Sequence, residues 1–133
     1  MNKYVLDACA VLALLKGEQG MEVVRKTIES DTTILLHSVT FLEIYYNVIK
    51  ELGIDLADLY YEQMKQTKIE IINQISENVI KSAGYYKSRY SISLGDSFVL
   101  STAKEHKAII VTSDHHEFDI IEKLENINFL WIR

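Results

Sequence analysis

YVLDACAVLALLKG, the stretch Tyr4–Gly17, decides the fold. Tyr4, Val5 and Leu6 form a short apolar, β-prone run, Asp7 ends it, Ala8 to Lys16 has the composition of a buried helix, and Gly17 stops that helix. A buried strand that passes directly into a helix is half of a βαβ unit. The same alternation continues outward. A helix is expected over about residues 19–29 and a second strand over Thr32–Leu36, whose unbroken apolar character suits burial on both faces. Ser38 or Thr40 is expected to cap a helix that runs to about Leu52, where Gly53 breaks it. Leu56, Leu59, Tyr60 and Met64 mark a helix over Ile54–Gln66, paired with its predecessor as a helical hairpin. Ile69–Ile72 is a third strand. Ser76 caps a helix to about Tyr90, and Ser93 starts another that ends near His106. Ala108–Val111 is the clearest strand of the chain, Thr112-Ser113-Asp114 is a polar turn, a short helix covers about 116–125, and Asn128–Ile132 is the last strand. Parallel strands need crossover helices, and those helices must bury their apolar stripes. The expected fold is therefore a three-layer α/β/α sandwich with a central parallel sheet of about five strands.

At 133 residues the chain has the size of one compact domain, 1–133, with no room for a linker. Hydrophobic residues make up 48% and charged residues 25%, which excludes an intrinsically disordered or collagen-like chain. No apolar run is long enough to span a bilayer, so no membrane partner is expected. Cys9 stands alone and cannot form an internal disulfide, and no basic-then-apolar leader opens the chain, so a reducing cytoplasm is the expected compartment. Lys plus Arg number 14 against 19 for Asp plus Glu, a net charge of −5. Bulk electrostatics would repel a polyanion, so a nucleic-acid substrate requires a local remedy.

Open parallel sheets bind ligands beyond the carboxyl ends of their strands. Asp7 closes the first strand and Asp114 follows the Ala108–Val111 strand by one turn, so the two carboxylates share an edge if those strands are neighbours. Each alone reads equally as a helix cap or turn residue. Glu43 lies in a helix whose other positions, Phe41, Leu42, Tyr45, Tyr46, Val48 and Ile49, are apolar, which leaves a thin polar stripe through Thr40, Glu43, Asn47 and Lys50. Taken alone it fits a solvated residue on the one wet face. Asp96 sits in the first turn after Ser93, where the helix dipole favours it, yet its own face continues through Val99, Leu100 and Ala103. A carboxylate on that inward stripe needs a cation, hydrogen bonds or a raised pKa. Gathered acids repel one another, and a divalent ion relieves that repulsion. An all-oxygen donor set suits magnesium or manganese better than zinc, and such an ion polarises phosphate oxygens and activates water.

The succession Val5-Leu6-Asp7-Ala8, Thr40-Phe41-Leu42-Glu43, Ser93-Leu94-Gly95-Asp96-Ser97 and Val111-Thr112-Ser113-Asp114, with Phe118-Asp119 beyond, resembles the PIN-domain ribonucleases, especially the VapC-type toxins of toxin-antitoxin pairs. The resemblance covers nearly the whole chain. It implies a parallel sheet flanked by helices, with Asp7, Glu43, Asp96 and Asp114 around a magnesium or manganese ion that serves RNA cleavage. It implies a role for Thr112 in orienting a carboxylate or water. It further implies an antitoxin protein and a homodimer as partners. Asp119 is expected to assist the site or cap the following helix, and His115 and His116 to be surface residues.

Other features are less decisive. Lys81, Lys87, Arg89, Lys104 and Lys107 outnumber the acids between residues 81 and 107, and Tyr85, Tyr86 and Tyr90 offer either base stacking or core packing. Tyr45, Tyr46, Tyr60 and Tyr61 give the hairpin apolar surface for an antitoxin helix or a second copy of the chain. The chain has no glycine-rich dinucleotide fingerprint and no phosphate-cradling loop. A catalytic Cys9 lacks the arginine that a phosphatase would carry at Leu15. The competing reading is a non-catalytic PIN-like or receiver-like regulatory binding module.

Overall fold

The computed structural model describes residues 2–133. The elements run β1 (Lys3–Leu6), α1 (Ala8–Lys16), α2 (Met21–Glu29), β2 (Thr33–His37), α3 (Ser38–Leu52), α4 (Ile54–Lys65), β3 (Glu70–Ile72), α5 (Glu77–Arg89), α6 (Leu94–His106), β4 (Ile109–Thr112), α7 (His115–Leu124) and β5 (Phe129–Trp131). All strand pairings are parallel, in the order β3-β2-β1-β4-β5. The expected α/β/α sandwich is what forms.

Alternation along the strands divides the core in two. Leu6, Ile34, Leu36 and Val111 face the layer that contains Val11, Ile44 and Val48 of α1 and α3, while Val5, Leu35 and Ile110 face Tyr86, Leu100 and Phe118 of α5, α6 and α7. The three central strands, β1, β2 and β4, are buried on both sides, which is why their sequences read as continuous apolar runs rather than alternating ones, whereas the edge strands β3 and β5 are half-buried. From β1 the chain steps outward to β2 and then β3, and afterwards crosses back to place β4 on the other side of β1. The reversal makes the gap beyond the carboxyl ends of β1 and β4 the switch point of the sheet.

Two local expectations change. The cap of α3 is His37, whose Nδ1 accepts from the Val39 N–H at 3.0 Å, not Ser38 or Thr40. The imidazole can reach because its other nitrogen, Nε2, is anchored on the Gln74 carbonyl at 3.0 Å and its ring packs on Phe98. The polar stripe of α3 is also only in part its wet face. Thr40 is fully buried and Glu43 half-buried, whereas Leu42 and Tyr46 are exposed. Glu43 lies over Gly95 of α6, Asn47 is half-buried and Lys50 is exposed, so the stripe runs from the α6 contact out to solvent, while Phe41, Ile44 and Val48 are buried.

Candidate active site

β1 ends one residue before Asp7, and that residue caps α1. Asp7 Oδ1 accepts from the Ala10 N–H at 2.8 Å, and Oδ2 accepts from the Thr112 hydroxyl across the β1–β4 boundary. Thr112 is wholly buried, and its oxygen also accepts from the Asp114 N–H at 2.9 Å. One hydroxyl thus ties the carboxyl ends of β1 and β4 together and sets the orientation of Asp7. With only 1% of its surface exposed, Asp7 loses hydration, and its pKa is pushed up to about 7; the hydrogen bonds from Thr112 and Ala10 oppose that rise and the charges of Asp114 and Glu43 add to it.

Asp96 stands in the first turn of α6, where Ser93 caps its backbone N–H at 3.1 Å. Its carboxylate is buried. Desolvation, followed by the charges of Asp7, Asp114, Glu43 and Glu117, pushes its pKa up to about 8. That set of neighbours shows what the fold does: the acids that follow β1 and β4 and those of α3 and α7 all lie close enough to Asp96 of α6 for their charges to act on it. Glu43 enters from α3, and burial raises its pKa as well.

Asp114 caps α7 by accepting the Glu117 N–H on Oδ1 at 3.0 Å. In an ordinary capping box the acid three residues on would return to the N–H of the capping residue. Here the Asp114 N–H is already taken by Thr112, and the Glu117 side chain turns inward instead. Its Oε2 is buried with no hydrogen-bond partner, and one carboxylate oxygen each of Asp96, Asp114 and Glu117 lie within 4.8 Å of one another. Glu117 escaped the sequence reading. The signal available for it was the Asp114-x-x-Glu117 spacing, which puts both acids in one helical turn.

The donor set is entirely carboxylate, the spacing of these oxygens suits a single hard cation, and a buried carboxylate oxygen lacks a partner. These residues fit a divalent ion such as magnesium or manganese.

A family profile described as PIN domain matches residues 4–124. The chain belongs to the PIN-domain family. No curated protein matches it in sequence. Solved structures that it resembles include VapBC-1 from Haemophilus influenzae, at 14% identity and a TM-score of 0.73 over 98% of both chains. DNA-bound VapBC from Salmonella typhimurium gives 16% identity and 0.74 over 100% of both chains. Mycobacterium tuberculosis VapC20, a toxin that cleaves the sarcin-ricin loop, gives 10% identity and 0.67 over 80% of this chain and 86% of that one. At these identities the likeness is one of fold.

Other side chains of this PIN domain fall outside the acidic cup. Asp119 is exposed and paired with His115 Nδ1 at 2.8 Å, while His115 Nε2 meets the Arg133 carbonyl and the ring stacks on Trp131. His116 is exposed. Tyr86 and Tyr90 are core residues and only Tyr85 is exposed, so the tyrosines do not form a stacking row. Tyr85, Lys104 and Lys107 line a cleft of about 650 Å³ beside Ala108 and Asn128, which precede β4 and β5. This cleft lies at the amino ends of the strands, opposite the acids. Burial, with the neighbouring charges of Asp7, Asp114 and Asp96, pushes the Cys9 thiol up to about 12, the wrong direction for a nucleophile. No helix among the described residues is long and apolar enough to cross a membrane.

Proposed function

We propose that this PIN domain is a magnesium- or manganese-dependent endoribonuclease of the VapC type, the toxin of a type II toxin-antitoxin pair that acts in the cytoplasm as a single domain. The observation that carries the reading is the convergence of Asp7, Glu43, Asp96, Asp114 and Glu117 at the switch point of the sheet, with a buried Glu117 oxygen left unpaired. In this reading Asp96, Asp114 and Glu117 hold the ion directly, with Asp7 and Glu43 completing the negative wall. Bound there, the ion would polarise a phosphate oxygen, lower the pKa of a water and neutralise the departing oxygen.

The chain's own residues supply the positioning. Thr112 and the Ala10 N–H fix the Asp7 carboxylate, so its remaining lone pairs point to a set place before substrate arrives. Ser93 and Asp114 fix the first turns of α6 and α7, and so the direction in which Asp96 and Glu117 enter. Burial of Asp7 and Asp96 favours their protonated forms near neutral pH, and a cation in the cup would favour the ionised forms that a phosphodiesterase needs. The cation also answers the net charge of −5 at the point where a phosphate must approach.

For the antitoxin, the supporting observation is apolar surface on the α3–α4 hairpin. Leu42, Tyr46, Leu52, Ile54, Leu59 and Tyr61 are all exposed, and a groove of about 410 Å³ runs between Phe41, Tyr45, Tyr61 and Ile71. Such exposed apolar surface suits a partner helix or a second copy of the chain. A structure of the same fold from Klebsiella pneumoniae is a toxin-antitoxin complex, which supports an antitoxin as the partner.

The deciding experiment is incubation of purified protein with total cellular RNA in magnesium or manganese, with mapping of the new 5′ ends. Discrete cleavage that disappears on chelation and in Asp7→Asn is the expected result. Ion binding without cleavage would leave a non-catalytic binding module in its place.

A further inference from the structure

Gly95 is a buried glycine in the first turn of α6, between Leu94 and Asp96, and its backbone is ordinary right-handed helix. Nothing in its conformation calls for glycine, which costs up to about 1 kcal/mol relative to alanine inside a helix. The reason lies in space. A Cβ at this position would land on Oε1 and Cδ of Glu43 and stand 2.8 Å from Oε2. The Glu43 carboxylate fills the volume that every other residue type would occupy with its own side chain. Gly84 makes the contrast: it is exposed in α5, and a Cβ there would meet nothing within 4 Å.

We propose that Gly95 is a positioning residue for Glu43: the bare Cα is the notch through which the α3 carboxylate reaches the acidic cup over the first turn of α6. The inference rests on the reading of Glu43 as part of the ion site. Asp96 is the next residue, so the same turn sets two acids from different elements side by side, one by bearing it and one by making room for it. Glu43 is the far end of a flexible chain and only half-buried, so an added methyl at 95 drives the carboxylate out of the notch rather than the helix off the sheet. Such displacement acts on the ion site without removing any acid, and displaced supporting groups cost metal sites ~10- to 100-fold in affinity.

The test is a double-mutant cycle read by manganese alone, with free ion followed by electron paramagnetic resonance and folding by circular dichroism. Gly95→Ala should weaken Mn²⁺ binding ~10- to 100-fold in the wild-type background and leave it unchanged in Glu43→Ala, because the methyl then has no carboxylate to displace. Gly84→Ala, with the same chemical change in open space, should leave Mn²⁺ affinity as it was. Combining Gly95→Ala with Glu43→Asp, one methylene shorter, should recover part of the lost affinity. Wild-type Mn²⁺ affinity in Gly95→Ala, alongside weak binding in Glu43→Ala, would overturn the notch and leave Glu43 in its role. Unchanged affinity in Glu43→Ala would overturn both. If Gly95→Ala alone fails to fold, Gly95→Ala with Glu43→Ala must fold, and its failure would equally overturn the proposal.

Discussion

Two acids of the cup carry a structural task alongside their place in the site. Asp7 caps α1 and Asp114 caps α7, so for these two the ordinary capping explanation holds in full and does not compete with the functional one, whereas the first turn that bears Asp96 is capped by Ser93. Thr112 joins two of them. Thr112→Val, nearly isosteric, should remove the donor to Asp7 and the acceptor of the Asp114 N–H, at a cost of about 1–3 kcal/mol in denaturant unfolding together with a loss of cleavage; Thr112→Ser should retain most of both. Asp96 is the opposite case. No donor among the described residues meets its carboxylate, and burial, joined by the charges of Asp7, Asp114, Glu43 and Glu117, pushes its pKa up to about 8, so Asp96→Asn should raise the melting temperature of metal-free protein at pH 8 while abolishing activity. A lower melting temperature at that pH would contradict the view of Asp96 as a desolvated charge.

Among the elements, α3 was the least readable. Its sequence offered Ser38 and Thr40 as caps, both usual hydroxyl choices, yet the cap is His37, a residue that succeeds only because Gln74 and Phe98, far along the chain, hold its ring. His37→Ala should cost at least ~1 kcal/mol for the cap, with a further loss from the Phe98 contact, measured as a lower midpoint in urea. Burial lowers the His37 pKa, so its contribution is complete above its ordinary value of 6.5 and is lost as pH falls through the lowered value. The polar stripe of α3 misled for a related reason. Period 3.6 identifies a distinct face but not what meets it, and here α6 meets that stripe at Glu43 while Lys50 at its far end, and the apolar residues Leu42 and Tyr46, remain outside. By contrast Gly53, at φ +94 and ψ 163, marks its turn without ambiguity, because only glycine adopts that backbone without strain. Gly53→Ala should lower stability by about 1–3 kcal/mol.

For the molecule as a whole, the cup sets a pH dependence. Asp7 and Asp96 have folded pKa values raised from 3.8 to about 7 and about 8, so the native state binds more protons than the unfolded chain between those limits. Their contribution to stability is therefore fully present below pH 3.8 and is lost as pH rises through about 7 to 8. Metal-free protein should melt at a lower temperature at pH 8 than at pH 6, and the rise in melting temperature on adding magnesium or manganese should grow over the same interval. A metal-induced shift that is flat across that range in differential scanning fluorimetry would contradict a shared carboxylate site. The amino-acid sequence by itself determined the order of strands and helices, because burial on both sheet faces and the stop signals at Gly17 and Gly53 are local and short-ranged. It also marked Asp7 and Asp114 as strand-end acids. Only the tertiary structure decided that β1 and β4 are neighbours, that Glu117 turns inward because Thr112 has already taken the Asp114 N–H, and that Gly95 leaves room for Glu43. Each of these depends on which atoms from distant segments occupy the same few cubic ångströms, and spacing along a chain carries no record of that.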